Sequence, residues 1–199
     1  MNNPEDKLIR EILAELVRAR TKFPGDNCTA LAMAEEAGEL CTAVFEESRA
    51  DVRKEAIQTA VMAMRVVLDG DATMRLWRAM RGLDPLVEGE RLSGVEMIAM
   101  ERHRQQAEEG WSDQHDDTHS EGELAFAAAC YALEANADSN LFDNPRQAAL
   151  RELWPWEAHW WKPRSALEDL TRAGALIAAE IDRLLRAEER ANLKDNSND

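Results

Sequence analysis

Apolar residues recur every three or four positions through most of this chain, the spacing that turns one face of an α-helix toward a core. Leu8, Ile9, Ile12, Leu13, Leu16 and Val17 predict a first helix over about 5–21, with Asn2 or Asn3 as its cap and Pro4 in its first turn. The run Lys22-Phe23-Pro24-Gly25-Asp26-Asn27 punctuates as a turn. A helix pair follows, from 30 to about 68, with a short break at Arg49-Ala50-Asp51. Its stripes are Met33, Ala37, Leu40, Cys41 and Val44, then Ile57, Ala60, Val61, Met64, Val67 and Leu68. A short fourth helix is expected over about 71–82, where Asp69 and Asp71 suit capping.

Leu83-Asp84-Pro85 reads as a boundary, so the chain divides into a module over 1–84 and a second over 85–190. The second opens with a helix from about Gly89 or Ser93 to Glu109, with Val95, Ile98, Ala99 and His103 inward. A polar loop over 110–120 leads to a small-residue helix over 121–135. A loop over 136–145 and a short helix over 146–153 follow. The stretch from Trp154 to Pro163, with four tryptophans, reads as irregular and suited to plugging a bundle end or stacking a base. A last helix over about 165–190 carries Leu167, Leu170, Ala173, Ile177, Ile181 and Leu184 on one face. The polar tail over 191–199 is expected to be disordered.

Composition agrees with an all-α fold of two helical modules. The 199 residues hold 9 Gly, 6 Pro and 1 Tyr, while Ala, Leu, Glu and Arg dominate. The net charge of −15 excludes a nucleic-acid partner, which needs a basic face. The charge is uneven: residues 1–84 carry 12 Lys/Arg against 15 Asp/Glu, and the remainder 12 against 24. Cys28, Cys41 and Cys130 lack a CxxC pairing and read as small buried residues in a reducing compartment. No apolar run reaches membrane-spanning length and no leader pattern opens the chain, so the expectation is a cytoplasmic protein without a membrane partner.

Chemistry concentrates in the helix pair. Glu36 and Glu39 stand one turn apart on its first helix, and Glu55 and Gln58 one turn apart on the second. Antiparallel packing makes these side chains converge. Clustered carboxylates repel and are costly to desolvate unless a cation joins them, and Mg²⁺ or Mn²⁺ takes such oxygen ligands together with waters and phosphates. Here Glu35-Glu36-Ala37-Gly38-Glu39-Leu40 followed by Glu55-Ala56-Ile57-Gln58 resembles the EExxE…ExxD signature of MazG-like all-α nucleoside triphosphate pyrophosphohydrolases. The resemblance covers about residues 5–82 and departs at Gln58, where the family usually has Asp. It implies a four-helix module in which Glu36, Glu39, Glu55 and Gln58 hold Mg²⁺ or Mn²⁺ and Glu35 activates water. A nucleoside triphosphate would be hydrolysed to its monophosphate and pyrophosphate. It also implies phosphate contacts from Lys22 or Lys54 and a homodimer or higher homo-oligomer.

A second constellation lies in the polar loop, where His115, Asp116, Asp117 and His119 fall within five residues. Imidazole and carboxylate suit metal binding or acid–base chemistry, while Asp and Ser also suit helix caps. The second half resembles bacteriophage and prophage sequences, which implies nucleotide-pool control in a bacterial host cytoplasm. The rival expectation is a non-catalytic phage accessory or counter-defence factor that holds a nucleotide or a host protein.

Overall fold

Asn3 accepts a hydrogen bond from the Glu5 N–H and opens α1 (Pro4–Lys22), with Pro4 in its first turn. The structure, a computed structural model, describes residues 3–135, 150 and 152–196. Among the described residues it is all-helical, with eight α-helices, one 3-10 turn and no strand. No helix among them is long and apolar enough to cross a membrane. The loop expected over 136–145 and most of the helix expected over 146–153 lie outside the described residues.

The chain forms two compact units, residues 1–92 and 93–199. The first holds α1, α2 (Thr29–Glu46), α3 (Arg49–Leu68) and α4 (Ala72–Met80). The break expected at Arg49-Ala50-Asp51 is instead the first turn of α3. Ser48 caps it by accepting from the Asp51 N–H, so the chain reverses at Glu47 and Ser48. The α3 helix packs on both α1 and α2. Leu16, Ala19 and Val61 form the core, with Ile12, Ile57 and Met64 against it. Only half of the α1 stripe faces inward. Ile9, Leu13 and Val17 remain exposed, because a stripe this wide exceeds what one neighbouring helix covers.

Two buried polar residues tie the turns down. The Arg65 guanidinium donates to the carbonyls of Phe23 (3.0 Å) and Gly25 (2.6 Å) and to Asp69 (2.9 Å). Asp71 caps α4 through the Thr73 N–H (2.9 Å) and accepts from the Ala30 N–H of α2 (2.8 Å). Burial alone would raise the Asp71 carboxyl, but hydrogen bonds from Thr73, Ala30 and Thr29 outweigh it and hold the group below its usual range. The first unit extends eight residues past the expected boundary at 84. Arg75 donates to Glu90 (2.8 Å) and Val87 sits against Gly70, which ties 85–92 back onto α4.

The second unit holds α5 (Gly94–Glu108), α6 (Asp113–Asp116), α7 (Glu123–Glu134), the 3-10 turn Ala158–Trp160 and α8 (Ala166–Asn196). Ser93 and Glu96 form a reciprocal capping box that fixes the start of α5. The α8 helix is the spine, packed by α5, α6 and α7. It continues through Asn196, so residues 191–196 are helical rather than the disordered tail expected there. Of its expected stripe only Ala173 is buried. Asp169, Ala173, Leu176, Ala179 and Arg183 turn inward, while Leu167, Leu170, Ile177, Ile181 and Leu184 stay exposed. Small residues win because they let backbones approach, and α7 offers Ala127 and Ala128 to the same core. His103 and Val95, expected inward, are exposed. Of the three cysteines only Cys130 is buried.

Close approach is most acute at Gly174, where an added Cβ would lie 2.5 Å from Cδ1 and 2.6 Å from Cγ1 of Ile98. Alanine favours a helix interior by up to about 1 kcal/mol over glycine, but overpacking costs about 1–3 kcal/mol. Gly174→Ala should therefore lower the melting temperature, and adding Ile98→Ala should recover part of that loss. An unchanged melting temperature in Gly174→Ala would show that α5 and α8 separate without cost.

Candidate functional site

The three Glu residues singled out on the helix pair meet. Glu36 and Glu39 project from α2 and Glu55 from α3, and one carboxylate oxygen of each lies within 4.8 Å of the others. The pairing of the helices is locked beside them by Thr59, whose hydroxyl lies 2.8 Å from the Glu55 carbonyl and 3.1 Å from that of Glu36. Glu39 is exposed, Glu36 half-buried and Glu55 buried at 5 % exposure.

Two oxygens of this cluster, Oε2 of Glu36 and Oε2 of Glu55, are buried without a hydrogen-bond partner among the described residues, and so is Oε1 of Gln58, one turn along α3 from Glu55. A buried acceptor left unpaired costs about 1–3 kcal/mol, and more when charged. Burial raises the Glu36 carboxyl above its usual range, and the charges of Glu39, Glu55 and Glu35 push it the same way. Lys54 gives partial relief. Its ammonium lies 2.6 Å from the other Glu55 oxygen, and that hydrogen bond raises the Lys54 pKa.

These residues fit a divalent cation. Ligands on opposite sides of Mg²⁺ stand about 4 Å apart, twice the metal–oxygen distance, so oxygens within 4.8 Å of one another need only a small side-chain shift to meet a single ion. The donors are all hard oxygens. The three carboxylates of Glu36, Glu39 and Glu55 give the group a formal charge of up to −3.

The pH dependence follows from the raised Glu36 value. Between the ordinary carboxyl value and the raised one, the folded state holds a proton that the unfolded chain has lost. This stabilisation is complete below the unfolded value and fades as pH rises through the folded one. In a chelator, the melting temperature of the wild type should therefore fall more between pH 4.5 and pH 7 than that of Glu36→Gln. Parallel curves would mean that Glu36 carries no such strain.

The remaining sequence candidates are placed differently. Glu35 is exposed beside Glu36 on α2. The Lys22 ammonium lies over the Phe23 ring, 4.8 Å from its centroid, in the turn that Arg65 anchors. Asp69 pairs with Arg20 and Arg65, the Arg20 hydrogen bond chiefly holding its carboxyl below the usual range, so neither Asp69 nor Asp71 replaces the charge missing at Gln58. In the second unit, Asp116 is buried and paired with Arg102. Asp117 is paired with Arg186 (2.9 Å) and Arg190 (2.7 Å). His115 and His119 meet edge to face at 5.0 Å. Burial and the neighbouring His115 depress His119, against the opposing pull of Glu123 and Asp116. The two carboxylates thus serve as structural anchors of α6 to α5 and α8. Among the described residues, Glu36, Glu39 and Glu55 are the group of three His, Cys, Asp or Glu side chains that gather tightly enough for an ion.

Compared with family models, with curated proteins and with solved structures, the chain matches none.

Proposed function

We propose that the first unit is a Mg²⁺- or Mn²⁺-dependent nucleoside triphosphate pyrophosphohydrolase. The observation that supports it most is the gathering of Glu36, Glu39 and Glu55, with a buried unpaired oxygen on Glu36 and on Glu55 and another on Gln58, one turn along α3. The motif resemblance of Glu35–Leu40 and Glu55–Gln58 supplies the reaction type. Water attacks a phosphorus of the α–β anhydride, that bond breaks, and the monophosphate and pyrophosphate leave. A bound divalent ion supplies charge neutralisation for the triphosphate and for the charge that builds at phosphorus.

The chain's own groups have distinct parts. Glu36, Glu39 and Glu55 hold the ion through carboxylate oxygens, and Gln58 through its amide carbonyl. Glu35 is our candidate to take the proton from the attacking water. Lys54, exposed and already hydrogen-bonded to Glu55, meets the phosphate charge. Phe23 and Lys22, exposed in the turn before α2, are our candidates for the base and the phosphate tail. The exposed Ile9, Leu13 and Val17 of α1 and Phe45 of α2 favour a homo-oligomer.

Gln58 favours a second reading, in which the site retains a nucleotide or a host protein without turnover. One assay separates the two. Purified protein is offered each canonical nucleoside triphosphate with Mg²⁺, Mn²⁺ or chelator, and pyrophosphate and orthophosphate are measured separately. Metal-dependent pyrophosphate release supports the enzyme. Tight nucleotide binding by calorimetry with no turnover replaces it with the binding reading.

A further inference from the structure

The second unit carries a half-open cavity of about 550 Å³ that the carboxylate site does not use. Its volume falls in the range of small-molecule sites, about 300–1,000 Å³. An unbroken chain of rings forms much of its wall. Trp111 stacks on His115, His115 meets His119 edge on, His119 meets Trp156, Trp156 meets Trp154, and Trp154 meets Tyr131. Successive centroids lie between 5.0 Å and 6.3 Å apart. Trp160 and Lys162 stand at the exposed edge, with the ammonium 5.1 Å from the ring centroid.

Aromatic rings alone would be explained by packing. What packing leaves unexplained is that three buried polar atoms of the same wall have no hydrogen-bond partner among the described residues. They are Gln105 Oε1, Arg102 Nε and Trp156 Nε1. Gln105 is only 2 % exposed. Its orientation is fixed, because its Nε2 donates to Glu101 at 3.1 Å and leaves the carbonyl oxygen unpaired. Arg102 is fixed as well, its Nη2 bonded to the buried Asp116, which leaves Nε–H unspent. Residues of this wall thus carry one acceptor and two N–H donors that are desolvated and without a partner among the described residues.

We infer that this cavity binds the base of an uncharged nucleobase or nucleoside, as a site separate from the carboxylate cluster. A planar heteroaromatic stacks on ring faces while its edge presents both acceptors and donors, the complement of Arg102, Trp156 and Gln105. An apolar aromatic would leave all three atoms unpaired. Charge selects against phosphorylated forms. The unit holds twice as many acidic as basic residues over 93–199, 22 against 11. Arg102, Arg104 and Arg172 at the cavity are already spent on Asp116, Glu101 and the Lys162 carbonyl.

The test uses the full chain carrying Trp77→Phe, so that the remaining tryptophans all belong to the second unit. Adenosine, guanosine, cytidine and thymidine, and then the corresponding triphosphates, are titrated, with fluorescence and calorimetry as readouts. At least one should quench fluorescence saturably. Gln105→Leu and Trp156→Phe should each weaken that binding about tenfold or more while keeping a cooperative melt. Trp156→Phe keeps an aromatic, though smaller, ring at this position while removing the donor, so it stands in should Gln105→Leu fail to fold. Glu39→Gln and chelator should leave binding unchanged, which keeps this result independent of the hydrolase reading. The inference is overturned if no nucleoside binds, if Trp156→Phe binds as the wild type does, or if binding is seen only with triphosphates and vanishes in Glu39→Gln.

Discussion

Glu39→Gln should abolish metal-dependent pyrophosphate release while leaving the helical fold intact or slightly more stable. The two effects separate because Glu39 lies at the exposed rim of a cluster whose inner members are already strained. Its carboxylate is within 4.8 Å of those of Glu36 and Glu55, and its charge is one of those pushing Glu36 upward. Replacing it with a neutral isostere relieves repulsion and removes a charged ligand from the ion. Loss of a group that merely supports a metal ligand costs about 10–100-fold, so loss of a ligand should cost at least about a hundredfold. Glu55→Gln should reduce turnover as far, with a different stability signature. Glu55 is buried and holds the Lys54 ammonium, so that variant gives up an ion pair along with the ligand. Activity and circular dichroism melts on the same samples check both. Equal losses of activity and stability in Glu39→Gln would make Glu39 a structural residue.

The four helices of the first unit and the meeting of Glu36, Glu39 and Glu55 were legible because both rest on spacing within neighbouring helices, whereas the short helix Asp113–Asp116 lies where a polar loop was expected. A period of 3.6 with a short reversal leaves antiparallel packing as the simple arrangement, and residues one turn apart then share a face. Which face of a helix is buried was less legible. On α8 only Ala173 of the expected stripe is in the core, joined by Leu176 and Ala179, while the expected Leu and Ile side chains are exposed. Hydropathy ranks side chains by transfer energy and is blind to how closely two backbones can pack, which Gly174 against Ile98 decides here.

Anchoring by distant charges was illegible for a related reason. Arg65 and Asp71 look like surface residues in a charged sequence, but each satisfies backbone groups contributed by a turn some forty residues away. The same applies to His115–His119. Their clustering suggested a metal or acid–base site, whereas the partners that commit Asp116 and Asp117 are Arg102, Arg186 and Arg190. The tryptophan-rich stretch suggested either core or stacking, and it does contribute Trp154, Trp156 and Trp161 to the core of its unit. The unpaired atoms of Gln105 and Trp156 are properties of the folded wall alone.

Gln58→Asp should lower the Mg²⁺ concentration needed for half-maximal activity by roughly tenfold, whatever happens to the maximal rate. The amide carbonyl at this position is buried and has no hydrogen-bond partner among the described residues, so it is not spent on a neighbouring helix. A carboxylate is the better ligand for a hard cation, and charge-assisted contacts are about twice as strong as neutral ones, a gain of about 1.4 kcal/mol or one decade. Tighter ground-state binding raises turnover only if the transition state gains more, so the metal requirement is the quantity to read. Aspartate is one methylene shorter than glutamine, which makes Gln58→Glu the companion that keeps the reach and changes only the charge. Both variants add a fourth carboxylate to a crowded site. In chelator they should melt below the wild type by an amount set by an unpaired buried charge. Saturating Mg²⁺ should remove most of that deficit, since a ligand that binds only the folded state stabilises it. A Mg²⁺ titration and a melting curve on the same sample decide the matter. A lowered melting temperature that Mg²⁺ fails to restore, with an unchanged metal requirement in both variants, would take Gln58 out of the ligand set.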